Sequence, residues 1–271
     1  MAGDPIPAVA EAEATGETAA IFADIRAVYG VGVVNLIWRH LATIPDALPW
    51  AWRAIRPLYV DGTVAGAAQT FRAGLTLPIL PSVPPEVFAS FGLAPDALAS
   101  VRAVLAAYDH TNSMALIALT AVSASADGIS PLPPRAGAGG REQNPTISLP
   151  PLPSLDAMPS HVAALVVRLN LFGTDAAAPI LASMYRHLSY WPPYWGLVWS
   201  ALAPMQASRA LHAAIADTAR QARATAAGIG TAAGPSPPGA REAIAPFIGD
   251  VLPKMVAICG MLHAMTTAPD A

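Results

Sequence analysis

Apolar and polar positions nowhere alternate strictly over any useful length, so the chain lacks the pattern of half-buried strands. The Val-rich run Val31 to Val34 is short and sits beside Gly30 and Gly32, which argues against a sheet. Prolines instead divide the apolar stretches into helix-sized pieces. Asn35 to Leu58 (NLIWRHLATIPDALPWAWRAIRPL) predicts a short helix stopped before Pro45 and a second helix opened by Pro45-Asp46 and closed by Pro57. Ala182 to Met205 (ASMYRHLSYWPPYWGLVWSALAPM) predicts the same pair, opened at Pro192-Pro193 and closed by Pro204.

The two segments align without a gap, at an offset of 147 positions from Asn35 to Ala182. Identities fall at Arg39 and Arg186, His40 and His187, Leu41 and Leu188, Pro45 and Pro192, Trp52 and Trp199, Ala54 and Ala201, and Pro57 and Pro204. A later helix recurs, with Met114 to Ala121 opposite Pro253 to Gly260, and proline loops at Pro81 to Pro85 and Pro235 to Pro238 hold the same relative place. Between the copies, Asp127 to Ser160 is rich in Pro, Gly and Ser and reads as a linker. The expected organisation is an N-terminal helical repeat over 1–126, a linker over 127–160 and a C-terminal helical repeat over 161–271. The fold class is therefore all-α, with two pseudo-symmetric repeats forming an intramolecular pseudo-dimer and a concave site at their junction.

Composition narrows the function. Of 271 residues 54% are apolar and 12% charged, which suits closely packed helices. Mean hydropathy is +0.45, yet Arg, Pro or His breaks each apolar stretch before the roughly 20 residues of a membrane span, so no membrane is expected. Met1 to Thr15 lacks the pattern of a secretory signal, and a cytoplasmic location is expected. A net charge of −3 offers no electrostatic footprint for nucleic acid. Cys259 is the single cysteine, which excludes an internal disulfide and a cysteine-rich metal site. No G-x-G-x-x-G, P-loop, H-E-x-x-H or G-x-S-x-G motif is present, and no cofactor or metal is expected. The partner is a small molecule; homo-oligomer formation is left open.

The linked copies, VVNLIWRHLA at Val33 to Ala42, Asn112 before the LIALTA helix, and ASMYRHLSYWP at Ala182 to Pro192 resemble the group I (DL-) 2-haloacid dehalogenases. That resemblance, from about Thr15 to Thr267, implies an all-α pseudo-dimer whose active site lies between the repeats. There an Asp, helped by an Asn, activates water to displace halide directly. The family's Asn falls on Asn112, and its Ala-Ser-Asp-Tyr-Arg segment falls on Ala182, Ser183, Met184, Tyr185 and Arg186. The resemblance assigns substrate contacts to Asn35, Leu36, Ala182, Ser183, Met184 and Tyr185. Met184 stands where the catalytic acid is expected, and a thioether cannot take a proton. Asp109 and His110, just before Asn112, are the candidate replacements, since imidazole titrates near neutrality.

Each of these residues also has a plain role. Arg39-His40 and Arg186-His187 are adjacent on helices, about 100° apart, and suit backbone carbonyls better than one shared pocket. Asn112, Asp109 or Thr111 fits a helix N-cap. Met184 fits pocket or core lining, Tyr190, Trp191, Tyr194, Trp195 and Trp199 fit a core, and Cys259 fits a small buried hydrophobe. Two functions follow: a small-molecule hydrolase of dehalogenase type, with altered or lost activity, or a non-catalytic helical binding or scaffold protein. An ionisable group in the inter-repeat pocket would separate them.

Overall fold

A computed structural model describes residues 6–125 and 149–267, and the described residues form helices without strands. Before the linker lie α1 (Gly16–Tyr29), α2 (Leu36–Leu41), α3 (Ala47–Val60), α4 (Thr63–Gly74), α5 (Pro85–Ser90) and α6 (Pro95–Ser125). After it lie α7 (Ser160–Asn170), α8 (Ser183–His187), α9 (Pro192–Ala207), α10 (Ala210–Ala226), α11 (Ala240–Pro246) and α12 (Leu252–Thr266). The prolines behave as their missing N–H requires at Pro192, which opens α9, but not at Pro57 and Pro204. There α3 and α9 run past the expected stop to Val60 and Ala207. A proline cannot donate, but its own carbonyl still accepts: Asp61 N donates to Pro57 O at 2.9 Å and Ser208 N to Pro204 O at 3.0 Å.

These two helix ends repeat in detail. Each is followed by a left-handed residue that opens the next helix, Gly62 at φ 82° and Arg209 at φ 63°, again 147 positions apart. A left-handed arginine is strained where a glycine is not. Arg209 is held by a two-pronged contact to Asp175 at 2.6 and 2.7 Å.

α6 and α12 pack lengthwise on each other at the centre, with α4 and α10 against them. Met114 to Val122 is buried on every face of α6, Thr120 included, so this stretch carries no exposed polar stripe. The helical stretch Ala240–Thr266 is long and apolar enough to cross a membrane, but 67% of its apolar window is buried inside the protein, as a core helix requires. Its middle is a π-helical turn, Phe247–Val251. Pro253 has no N–H for the Gly249 carbonyl, and the backbone leaves the α repeat just before it.

Residues 127–148 of the expected linker lie outside the described residues. The remainder holds one 3₁₀ turn, Leu155–Ala157, and is strapped to α8 and the turn that follows it. Arg186 Nε donates to Pro153 O at 2.8 Å, Tyr190 Oη to Pro151 O at 2.8 Å, and His187 Nε2 lies 3.0 Å from Pro150 O.

Candidate functional site

A small cavity, open to solvent, is lined by residues from both sides of the linker. The first turn of α2 contributes Asn35, Leu36 and Ile37, and the first turn of α8 contributes Ala182, Ser183 and Met184, each 147 positions later. Tyr108 and Asn112, one turn apart on α6, lie on the face that meets the cavity. In the register that pairs Met114 with Pro253, they correspond to Phe247 and Val251 of the π-helical turn, which also line it, with Leu252 and Met255 beside them. The polar lining comes from Asn35, Tyr108, Asn112 and Ser183, and the apolar lining includes Phe247, Val251, Leu252 and Met255.

Asn112 is not an N-cap: α6 begins at Pro95, and Asn112, Asp109 and Thr111 all lie in its interior. Inside the helix the Thr111 hydroxyl donates back to Ala107 O at 2.9 Å. Asn35 Nδ2 donates to Thr111 Oγ1 at 3.1 Å and to Asn112 Oδ1 at 2.9 Å, tying α2 to α6 across 77 positions. Behind Ser183, buried Arg39 places Nη2 3.4 Å from Oγ. His40 Nδ1 donates to Pro7 O at 2.7 Å, whereas Arg186 and His187 both reach carbonyls of the proline strap.

The proposed replacement bases lie elsewhere. Asp109 and His110 are turned about 100° and 200° from Tyr108 around α6 and are not among the lining residues. Asp109 Oδ2 is 3.2 Å from Arg72 Nε; burial raises its carboxyl above the usual range while Arg72 acts against that rise. Tyr185, expected to contact substrate, is instead in the core, its ring 5.4 Å from that of Trp195. Asp250, next to Val251 in the chain, faces Thr174 at 3.5 Å. Among the described residues no carboxylate lines the cavity.

Met184 is fully buried, and Cys259 Sγ lies 3.0 Å from its sulfur; burial pushes that thiol well above its ordinary range. Sulfur therefore occupies the neighbourhood of the expected acid. Sequence reasoning missed Tyr108, although its place four residues before Asn112 carried the signal. Its Oη lies 2.6 Å from His187 Nδ1. Burial raises the phenol above its ordinary range and is the main reason His187 falls to about 4.

Two solved structures share this all-α fold. A D-2-haloacid dehalogenase mutant with D-2-CPA matches with a TM-score of 0.70 at 18% identity, over 98% of this chain and 96% of that one. Another D-2-haloacid dehalogenase mutant matches at 0.68 and 20% identity, over 98% and 92%. In sequence the chain is similar to a configuration-inverting 2-haloacid dehalogenase of Alcaligenes xylosoxydans xylosoxydans, 31% identical over 121 residues. That alignment spans 44% of this chain and 40% of the relative. No family model matches the chain. Fold and partial sequence likeness both support the resemblance to haloacid dehalogenases.

Proposed function

We propose that the cavity takes a small 2-substituted carboxylate and that 2-haloacid hydrolysis is weak or absent because Met184 stands in place of the water-activating acid. The observation that carries this is the lining itself: four amide or hydroxyl side chains, Asn35, Tyr108, Asn112 and Ser183, beside Met184 and, among the described residues, with no carboxylate. In the direct reaction water forms a C–O bond at the α-carbon, the C–halogen bond breaks with its electron pair, and the water must lose a proton. Asn112 can orient that water, but neither its amide nor a thioether takes the proton at neutral pH. The positive charge behind Ser183 and the absence of acidic lining groups favour a carboxylate ligand.

Halide release from each enantiomer of 2-chloropropionate tests the catalytic half, and binding of the same acids by calorimetry tests the other. Rapid release by the unmodified protein would overturn the role given to Met184. Binding without turnover is the second reading, a ligand-binding protein on a dehalogenase-like fold, favoured by the sulfur contact between Met184 and Cys259.

A further inference from the structure

Tyr108 and His187 form a ring pair that occurs a second time in the fold, with one atom fewer. The register that sets Met114 against Pro253 sets Tyr108 against Phe247, and the ungapped match sets His187 against His40. Both pairs are in contact, with ring centroids 5.6 Å apart for Tyr108 and His187 and 6.0 Å apart for Phe247 and His40. Packing a ring against that imidazole therefore needs no hydroxyl. Tyr108 carries one nonetheless, on a side chain that lines the cavity, with Oη 2.6 Å from His187 Nδ1.

The neighbours fix where the hydrogens lie. The Pro150 carbonyl, 3.0 Å from His187 Nε2, can only accept, so Nε2 carries the ring hydrogen and Nδ1 accepts from Tyr108. Tyr108 Oη keeps a lone pair with which to accept a second hydrogen. One turn along α6, Asn112 Oδ1 accepts from Asn35 Nδ2, and Asn112 Nδ2 is buried with no hydrogen-bond partner among the described residues. A water in the cavity can accept from Asn112 Nδ2 and donate to Tyr108 Oη.

We propose that Tyr108 and His187 are a proton relay that stands in for the missing acid and carries a slow residual dehalogenation. This rests on reading the cavity as a site for small 2-substituted carboxylates. The water oxygen bonds to the α-carbon, and the C–halogen bond breaks with its electron pair to give halide. The water's proton passes to Tyr108 Oη while the Tyr108 proton passes to His187 Nδ1. The relay runs back to solvent once the product has left. His187, lowered to about 4 chiefly by burial, is neutral at pH 7 and about as basic as an ordinary aspartate. Arg186 and Arg39 oppose the imidazolium that forms, which keeps the relay slow.

Halide release from 2-chloropropionate, followed over long incubations at pH 7, tests this. Tyr108→Phe, which keeps the ring that suffices at Phe247, should lower kcat about 100-fold with KM unchanged, a loss within the range of a positioned base. His187→Gln can still accept from Tyr108 and donate to Pro150 O but cannot hold the proton, and it should do the same; His40→Gln should not. In mixtures of light and heavy water, kcat of the unmodified chain should fall along a bowed curve, the sign of two protons moving together. A folded Tyr108→Phe or His187→Gln variant that keeps the rate overturns the relay, as does a straight line or no isotope dependence. No halide release from the unmodified chain also overturns it, while carboxylate binding is judged separately by calorimetry. Fast release that is lost in Tyr108→Phe supports the relay and overturns the role given to Met184. If the variants do not fold, as judged by circular dichroism, the isotope curve of the unmodified chain decides.

Discussion

Tyr108 Oη and His187 Nδ1 lie 2.6 Å apart, joining the cavity wall on α6 to the proline strap beyond α8. The Pro150 carbonyl, 3.0 Å from Nε2, can only accept, so Nε2 carries the hydrogen. In the neutral imidazole Nδ1 is then an acceptor, and Tyr108 donates to it. A proton added to His187 would displace that bond and place a charge in a buried site already near Arg186 and Arg39.

His187 should therefore make the protein acid-sensitive. Its folded value of about 4 lies below the ordinary 6.5, so the unfolded chain binds the proton first as pH falls. Stability is unaffected by this group above about pH 6.5 and declines from there toward pH 4, by up to about 3 kcal/mol. Urea unfolding at pH 7 and pH 4.5 should show a smaller difference in His187→Gln than in the unmodified chain.

Lys254, the chain's only lysine, predicts the opposite window. It is fully buried, with Nζ donating to the Asn170 carbonyl at 2.9 Å, and burial lowers its value from 10.5 to about 8. Below pH 8 both states hold the proton and the cost of burying the charge is complete. Between about 8 and 10.5 the folded state releases it first, so stability rises with pH. Lys254→Met should abolish that rise in denaturation curves recorded from pH 7.5 to 10.

Met184→Asp should create or raise halide release from 2-chloropropionate, with an apparent pKa above the usual carboxylate range because the position is fully buried. Asn112→Ala in that background should lower kcat again by about 10-fold or more if it orients the attacking water. A pH–rate profile separates the two effects, since only the carboxylate sets its acid limb.

Gly173 should tolerate no side chain. Its φ is +74°, and an added Cβ would meet Ile215 Cδ1 at 2.2 Å and Leu211 Cγ at 3.2 Å. Strain and overpacking together predict a loss of about 2–4 kcal/mol for Gly173→Ala, measurable by thermal or urea unfolding.

An experimental structure should let residues 16–126 and 160–268 superpose as similar helical units, Arg39 over Arg186 and Trp52 over Trp199. The shared order of helices and the matching turns at Gly62 and Arg209 motivate this. Copies that align only at those turns would reject the pseudo-dimer.

Helix content and the recurring helix pairs were legible in the sequence, because proline spacing, apolar pattern and an ungapped match are local properties of the chain, whereas Asn112 and Met184 were singled out by the family resemblance. Local rules misjudged Pro57 and Pro204 as helix ends, since a proline removes one donor while burial of Leu58 and Tyr59, or of Leu202, holds the surrounding turns in place. They also made Asn112 a plausible cap, when its helix begins 17 positions earlier at Pro95. Tertiary structure alone decided which face of α6 meets the cavity: Tyr108 and Asn112 line it, Asp109 turns to Arg72, and packing against α12, α4 and α10 sets that rotation. It alone brought Cys259 to Met184 across 75 positions and His187 to Tyr108 across 79. No local pattern encodes such pairs, because their cost and gain arise when two distant helices exclude water between them.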